Sequence, residues 1–177
     1  TTKEPIRCLE DIEGMQIRVQ ESNMMADFIK CLGGEPSKYA YGEGYSLLER
    51  AEVQGAENNW PSYESSQHYE VARYYTVDEH TRVPEIQVCS KHTWQKLSEE
   101  DRGIILECAK ESAVYQRELW SEREAESKEF AIAGGAEVIV LPAAEKLKFQ
   151  RAVEPLYEKY CGEYMDLVNQ IISYRND

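Results

Sequence analysis

The chain has no Cys-x-x-Cys pair, no basic run, and no apolar stretch of the eighteen or so residues that a membrane span needs. Its five cysteines, Cys8, Cys31, Cys89, Cys108 and Cys161, are odd in number and widely spaced. That pattern argues against a disulfide framework or a zinc site and for small buried thiols. Lysine and arginine number 20 against 33 aspartate and glutamate, a formal net charge of −13. Such a surface repels nucleic acid and anionic membrane and has no stripe to track phosphates. The three histidines, His68, His80 and His92, lie twelve apart, an interval that fits neither a helical face nor a ligand pattern and reads as chance. Residues 1–7 lack the apolar core of a signal peptide, which leaves a cytosolic protein or one whose export signal has been removed. Internal repeats, low-complexity tracts and hydrolytic serine, cysteine or histidine motifs are also absent.

With 42% hydrophobic and 30% charged residues over 177 positions, the chain has the balance of one soluble globular domain or slightly more. Short strands alternate with helices, which predicts an α/β fold with a mostly parallel sheet. Strands are expected over 14–20, in an extended piece 36–41, and over 53–57, 74–80, 83–90 and 136–141. Ser22 caps a helix to Leu32 that carries Met24, Met25, Phe28, Ile29 and Leu32 on one face. A short helix spans 42–50, and Asn59 caps another with Pro61 in its first turn. Ser98 and Asp101 form a capping box that opens the longest helix, which Gly134 and Gly135 stop. At about 1.5 Å per residue it reaches on the order of 50 Å, more than one lobe is wide. Helices then close the chain to Tyr174 with a break near Gly162.

An arginine, Arg18, interrupts the apolar run of the first strand. A charge there costs several kcal/mol unless something answers it. With the three early strands as parallel neighbours, Arg18, Tyr41 and the pair Glu57 with Asn58 fall at the carboxyl ends, where ligands sit in open α/β sheets. The planar guanidinium grips a carboxylate through two hydrogen bonds, Asn58 donates and accepts beside it, and Tyr41 supplies an apolar wall. Equally, Arg18 pairs with Glu57 or Glu43 as a structural ion pair. Glu43 and Glu57 also present a weak acid and base combination. Trp60, Tyr63, Tyr69, Tyr74 and Tyr75 read as helix packing, with Tyr63 the candidate to line the cleft.

Four collinear stretches, DIEGMQIRV, CLGGEPSKYAYGEGYSLLE, VQGAENNWPSYESSQHYEVARYYTVDEH and SKHTWQKLSEEDRGIILECAKES, resemble the second half of a TRAP-transporter solute-binding protein of the DctP family. The resemblance implies a periplasmic-binding-protein-like lobe that captures organic acids without catalysis or cofactor. Arg18 becomes the carboxylate anchor, Tyr41 a pocket wall, Glu57 the group orienting the arginine, and Asn58 a ligand contact. It divides the chain into a ligand-binding lobe over 1–80, a crossover over 81–97 belonging to the other lobe, a spanning helix over 98–133, and a returning strand and helices over 134–177. It implies export to the periplasm or cell surface, a small carboxylate ligand, and the membrane components of a TRAP transporter as partners. Ala51 and Gln54 stand where the family usually has glycine and aspartate, and Gly44 replaces a bulkier apolar residue.

The family's proteins are nearly twice this length, so the resemblance also implies that the first lobe is largely missing. One lobe cannot exclude water. Micromolar affinity needs about −8 kcal/mol, whereas an exposed pair supplies roughly one, so the chain alone is expected to bind weakly or not at all. The alternative is a half-length, non-binding paralogue that acts as a homodimer or with a separate front-lobe chain through its exposed strand edge.

Overall fold

Parallel pairing organises the molecule. The computed structural model describes residues 1–174. Strands β1 (Gln16–Val19), β2 (Glu35–Lys38) and β3 (Gly55–Ala56) form one parallel sheet in the order β2-β1-β3. Strands β4 (Tyr74–Val77) and β5 (Glu137–Val140) form a second parallel pair. Parallel neighbours need crossovers: α1 (Asn23–Cys31) joins β1 to β2, α2 (Gly44–Glu49) lies between β2 and β3, and α3 (Trp60–Ser65) and α4 (His68–Val71) lead on to β4 of the second pair. The short α5 (Lys91–Trp94) precedes the 35-residue α6 (Glu99–Ala133), and α7 (Ala143–Val153), α8 (Pro155–Cys161) and α9 (Met165–Ser173) close the chain. The architecture is the expected α/β one.

Local signals set the helix starts. The side chains of Ser22, Asn59 and Ser98 accept hydrogen bonds from the backbone N–H groups of Met25, Ser62 and Asp101. On α1, Met25, Phe28, Ile29 and Leu32 recur at helical spacing and are buried, whereas Met24 is exposed. They pack against Ile17 and Val19 of β1, Ile139 of β5 and Phe149 of α7, so a single apolar cluster joins the two sheets. Strand alternation sends Arg18 to the other face, where Leu47, Leu48, Val53 and Ala72 form a second cluster with Tyr39 and Ala56.

Several expectations fail for identifiable reasons. Residues 83–90 form no strand and are exposed throughout, because no described strand pairs with them. The extended piece 36–41 stops at Lys38, and Tyr41 instead opens a 3₁₀ turn, Tyr41–Glu43. The strand expected over 74–80 ends at Val77, and Glu79 turns back at φ 54°. No cysteine is fully buried: Cys8, Cys31 and Cys161 are half-buried, Cys89 and Cys108 exposed, and all are free thiols. Helix α6 buries only Ser127 and Ala131. Its apolar residues Ile104, Ile105, Tyr115 and Leu119 are exposed. No described helix is long and apolar enough to cross a membrane.

Candidate functional site

A broad cleft opens at the carboxyl ends of β1 and β3, and Arg18, Tyr41, Glu57, Asn58 and Tyr63 all line it. Arg18 is 3% exposed. Its Nε and Nη2 donate to the carbonyl of Tyr39 at 3.1 and 2.8 Å. The Tyr39 N–H in turn donates to the Val19 carbonyl, so the acceptor is fixed to β1's own end. The arginine is therefore held by a backbone dipole and forms no ion pair among the described residues. The expected partnership with Glu57 or Glu43 does not occur. Arg18 is registered against Ala56, the last residue of β3, and Glu57 beyond it turns its carboxylate to His80 instead.

His68, on α4, lies close enough to feel the Arg18 charge. Burial disfavours its protonated form and the nearby Arg18 guanidinium repels it, so its pKa is lowered to about 4 and the ring is neutral at neutral pH. Gly44 makes room for it: a Cβ at that position would meet His68 Nε2 at 2.9 Å. Here the bulk expected on α2 is supplied by the imidazole of α4.

Tyr41 is 48% exposed and its hydroxyl donates weakly to the Ser62 carbonyl at 3.4 Å, which lays the ring along α3. Asn58 is half-buried. Its Oδ1 accepts from the Asn59 N–H at 3.0 Å and its carbonyl from the Tyr75 hydroxyl at 2.9 Å, leaving the side-chain NH2 without a described partner. Asn59 caps α3, whose Trp60 stacks on Tyr75 with centroids 3.6 Å apart. Tyr63 is 6% exposed and donates to the Ala72 carbonyl at 2.7 Å; burial raises its pKa. Its contacts are those of a packing residue, edge-on to Trp60, Tyr69 and Tyr75. Glu43 does not line the cleft, and its carboxylate accepts from the Ala40 N–H at 2.9 Å. Glu43 and Glu57 are thus engaged separately, with no shared acid and base geometry.

Sequence reasoning missed the group that does engage Glu57. His80 lies 3.6 Å from Glu57 Oε2 through Nε2 and 2.8 Å from Asp78 Oδ1 through Nδ1. The interval of twelve between histidines held no signal for this contact, which only tertiary folding creates. No group of three or more histidine, cysteine, aspartate or glutamate side chains that could hold a metal ion occurs among the described residues.

A parallel α/β lobe with a fixed arginine at its strand ends belongs to the class of periplasmic binding-protein lobes. The chain is a member of the family described as DctP, bacterial extracellular solute-binding protein, family 7, whose model matches residues 1–163. A curated solute-binding protein of Chromohalobacter salexigens is 39% identical over 94% of this chain and 49% of its own length. A TRAP periplasmic solute-binding protein from a Bradyrhizobium species, solved with α/β-D-galacturonate, superposes with a TM-score of 0.89 at 42% identity. The match covers 97% of this chain and 57% of that one. The corresponding protein from Roseobacter denitrificans, solved with β-D-glucuronate, gives a TM-score of 0.87 at 43% identity over 94% of this chain and 54% of that one. The chain spans about half the length of the curated relatives it matches. The family is one of solute-binding proteins in transport rather than of enzymes.

Proposed function

We propose that the protein captures a sugar acid of the uronate type for a TRAP transporter in the periplasm, with Arg18 receiving the carboxylate, the Asn58 amide donating beside it, and Tyr41 lining one side. The observation that carries this reading is the state of Arg18. A guanidinium 3% exposed, held by one carbonyl and paired with no carboxylate among the described residues, is a cation kept in place for an incoming anion. The relatives solved with galacturonate and glucuronate, at 36 to 43% identity, supply the ligand class. In this reading residues 1–80 are the ligand-binding lobe, 81–97 cross to a second lobe, 98–133 span both, and 134–177 return. Glu57 serves the site through His80 rather than by orienting the arginine.

The test is calorimetry with D-galacturonate and D-glucuronate on the chain and on a fusion to the front half of the Bradyrhizobium relative. The fusion is expected to bind far more tightly than the chain, because the second lobe removes water from the cleft. Arg18→Ala should abolish detectable binding in the fusion. Unchanged affinity in that variant refutes the assignment.

A second reading is favoured by one feature. Val83, Ile86 and Val88 are 77, 78 and 83% exposed, and Ile104, Ile105 and Leu106 continue as exposed apolar residues on α6. Such a surface suits association with a separate front-lobe chain or a second copy. Light scattering after size-exclusion chromatography distinguishes them: a dimer of this chain supports self-association, and a monodisperse monomer opposes it.

A further inference from the structure

Tyr75 has the surroundings of a packing residue, yet its hydroxyl makes a contact that packing does not require. It sits in β4 opposite Val138 of β5. Strand alternation sends Tyr74 to the apolar cluster shared by the two sheets and Tyr75 to the other face, against Tyr63, Ala131 and Ala136. There the phenol ring is gripped twice. Trp60 stacks on it at an interplanar angle of 17°, and Tyr63 meets it edge-on with centroids 4.9 Å apart. Each of these partners is itself fixed. Asn59 caps the helix that carries both, Lys128 of α6 stands over the Trp60 ring at 6.0 Å, and the Tyr63 hydroxyl is tied to the Ala72 carbonyl.

The tip of this clamped ring reaches the other sheet, where it donates to the Asn58 carbonyl at 2.9 Å. β3 ends at Ala56, so no ladder holds residues 57 and 58, yet Asn58 lines the cleft and needs a defined direction to meet a ligand. A pinned carbonyl fixes the peptide plane between Asn58 and Asn59. The contact of Asn58 Oδ1 with the Asn59 N–H at 3.0 Å then fixes the side chain on that plane, with the NH2 as its unengaged end among the described residues. We propose that Tyr75 is a positioning residue of the ligand site: gripped by Trp60 and Tyr63, its hydroxyl latches the Asn58 backbone to β4 and thereby aims the Asn58 amide into the cleft.

The electrostatics around the phenol suit a permanent donor. Burial above all, then the Asp78 carboxylate and the Tyr63 phenol, raise its pKa, so the hydroxyl keeps its proton. The two carboxylates at this corner do not compete for it. Glu57 and Asp78 both face His80, whose charge burial disfavours and these carboxylates favour more strongly. The ligand consequence of the latch rests on the proposed role of Asn58; the latch itself does not.

The experiment has two arms and uses Tyr75→Phe, which removes the hydroxyl and keeps the stacked ring. In the first, NMR on the 177-residue chain without ligand follows the Asn58 carbonyl carbon and side-chain amide. The variant is expected to shift the carbonyl signal in the direction of a lost hydrogen bond and to make the amide more mobile by nitrogen relaxation, with the Trp60 indole signal unmoved. In the second, D-galacturonate is titrated into the chain and into the two-lobed fusion, each as the parent, Tyr75→Phe, Asn58→Ala and the double variant. Tyr75→Phe should raise the dissociation constant about fivefold, the worth of one neutral hydrogen bond. In the Asn58→Ala background the same change should alter it by less than about twofold, because the latch then has no amide to aim. A merely structural loss would carry its full penalty into both backgrounds. An Asn58 amide as rigid in Tyr75→Phe as in the parent overturns the latch, and a full penalty retained in Asn58→Ala overturns the positioning role. Failure of both the chain and the fusion to bind any uronate removes the proposed function and the ligand consequence together, while the first arm still decides the latch.

Discussion

Ala51→Gly should stabilise the protein, against the usual cost of introducing glycine. Ala51 follows α2 and takes φ 56° to close the turn toward β3, with its N–H donating to the Leu48 carbonyl at 3.1 Å and Glu52 N–H to Leu47 at 2.9 Å. A left-handed conformation costs an L residue about 1–2 kcal/mol. Glycine removes that strain but gains freedom in the unfolded chain, which offsets about 0.5–1 kcal/mol. Ala51 is exposed, so losing its methyl removes no core contact. The net gain is about 0.5–1 kcal/mol, a rise of roughly 1–3 °C in Tm for a chain of this size. Differential scanning calorimetry measures it, with Gly135→Ala at φ 99° as the mirror-image control that should lower Tm. A fall in Tm for Ala51→Gly would refute the reasoning, since it would mean the turn holds no relievable strain.

Two other perturbations follow from specific contacts. Glu64 of α3 pairs with Arg123 and accepts from Ser127 Oγ at 3.0 Å on α6, and Ser127 is fully buried. Arg123 is 43% exposed, which discounts its share, so Glu64→Ala should cost about 2 kcal/mol, read from the urea midpoint. A change below about 0.3 kcal/mol would show that this junction does not hold α3 to α6. The His80 cluster makes stability depend on alkaline pH. Its folded pKa of about 10 lies above the ordinary value of 6.5, so its contribution is complete below pH 6.5 and is lost as pH rises toward 10. That contribution is at most a few kcal/mol, and denaturation between pH 6.5 and 10 should show a flatter decline in His80→Gln than in the parent. Parallel declines would contradict it.

What the sequence revealed was mostly local. The capping side chains of Ser22, Asn59 and Ser98, the Gly134 and Gly135 stop, and the helical spacing of Met25, Phe28, Ile29 and Leu32 each act within a few residues. The interrupting arginine was visible for the same reason, as a charge inside an apolar run. Its partner was not, because charge counting looks for a carboxylate and the acceptor is the Tyr39 backbone carbonyl. The Glu57 contact was misassigned because β3 ends at Ala56, opposite Arg18, and the approach of His80 to Glu57 beyond that end exists only after folding. Residues 83–90 alternate like a strand, yet a strand is defined by its partner, and no described strand pairs with them.

Carboxylate recognition by Arg18 is tested most directly by comparing D-galacturonate with D-galactose, which differs by lacking that group. In the two-lobed fusion the acid should bind at least a hundredfold more tightly, a difference of about 3 kcal/mol. Arg18→Gln should collapse most of that preference. Equal affinity for the two sugars, or an undiminished preference in Arg18→Gln, would contradict the central claim.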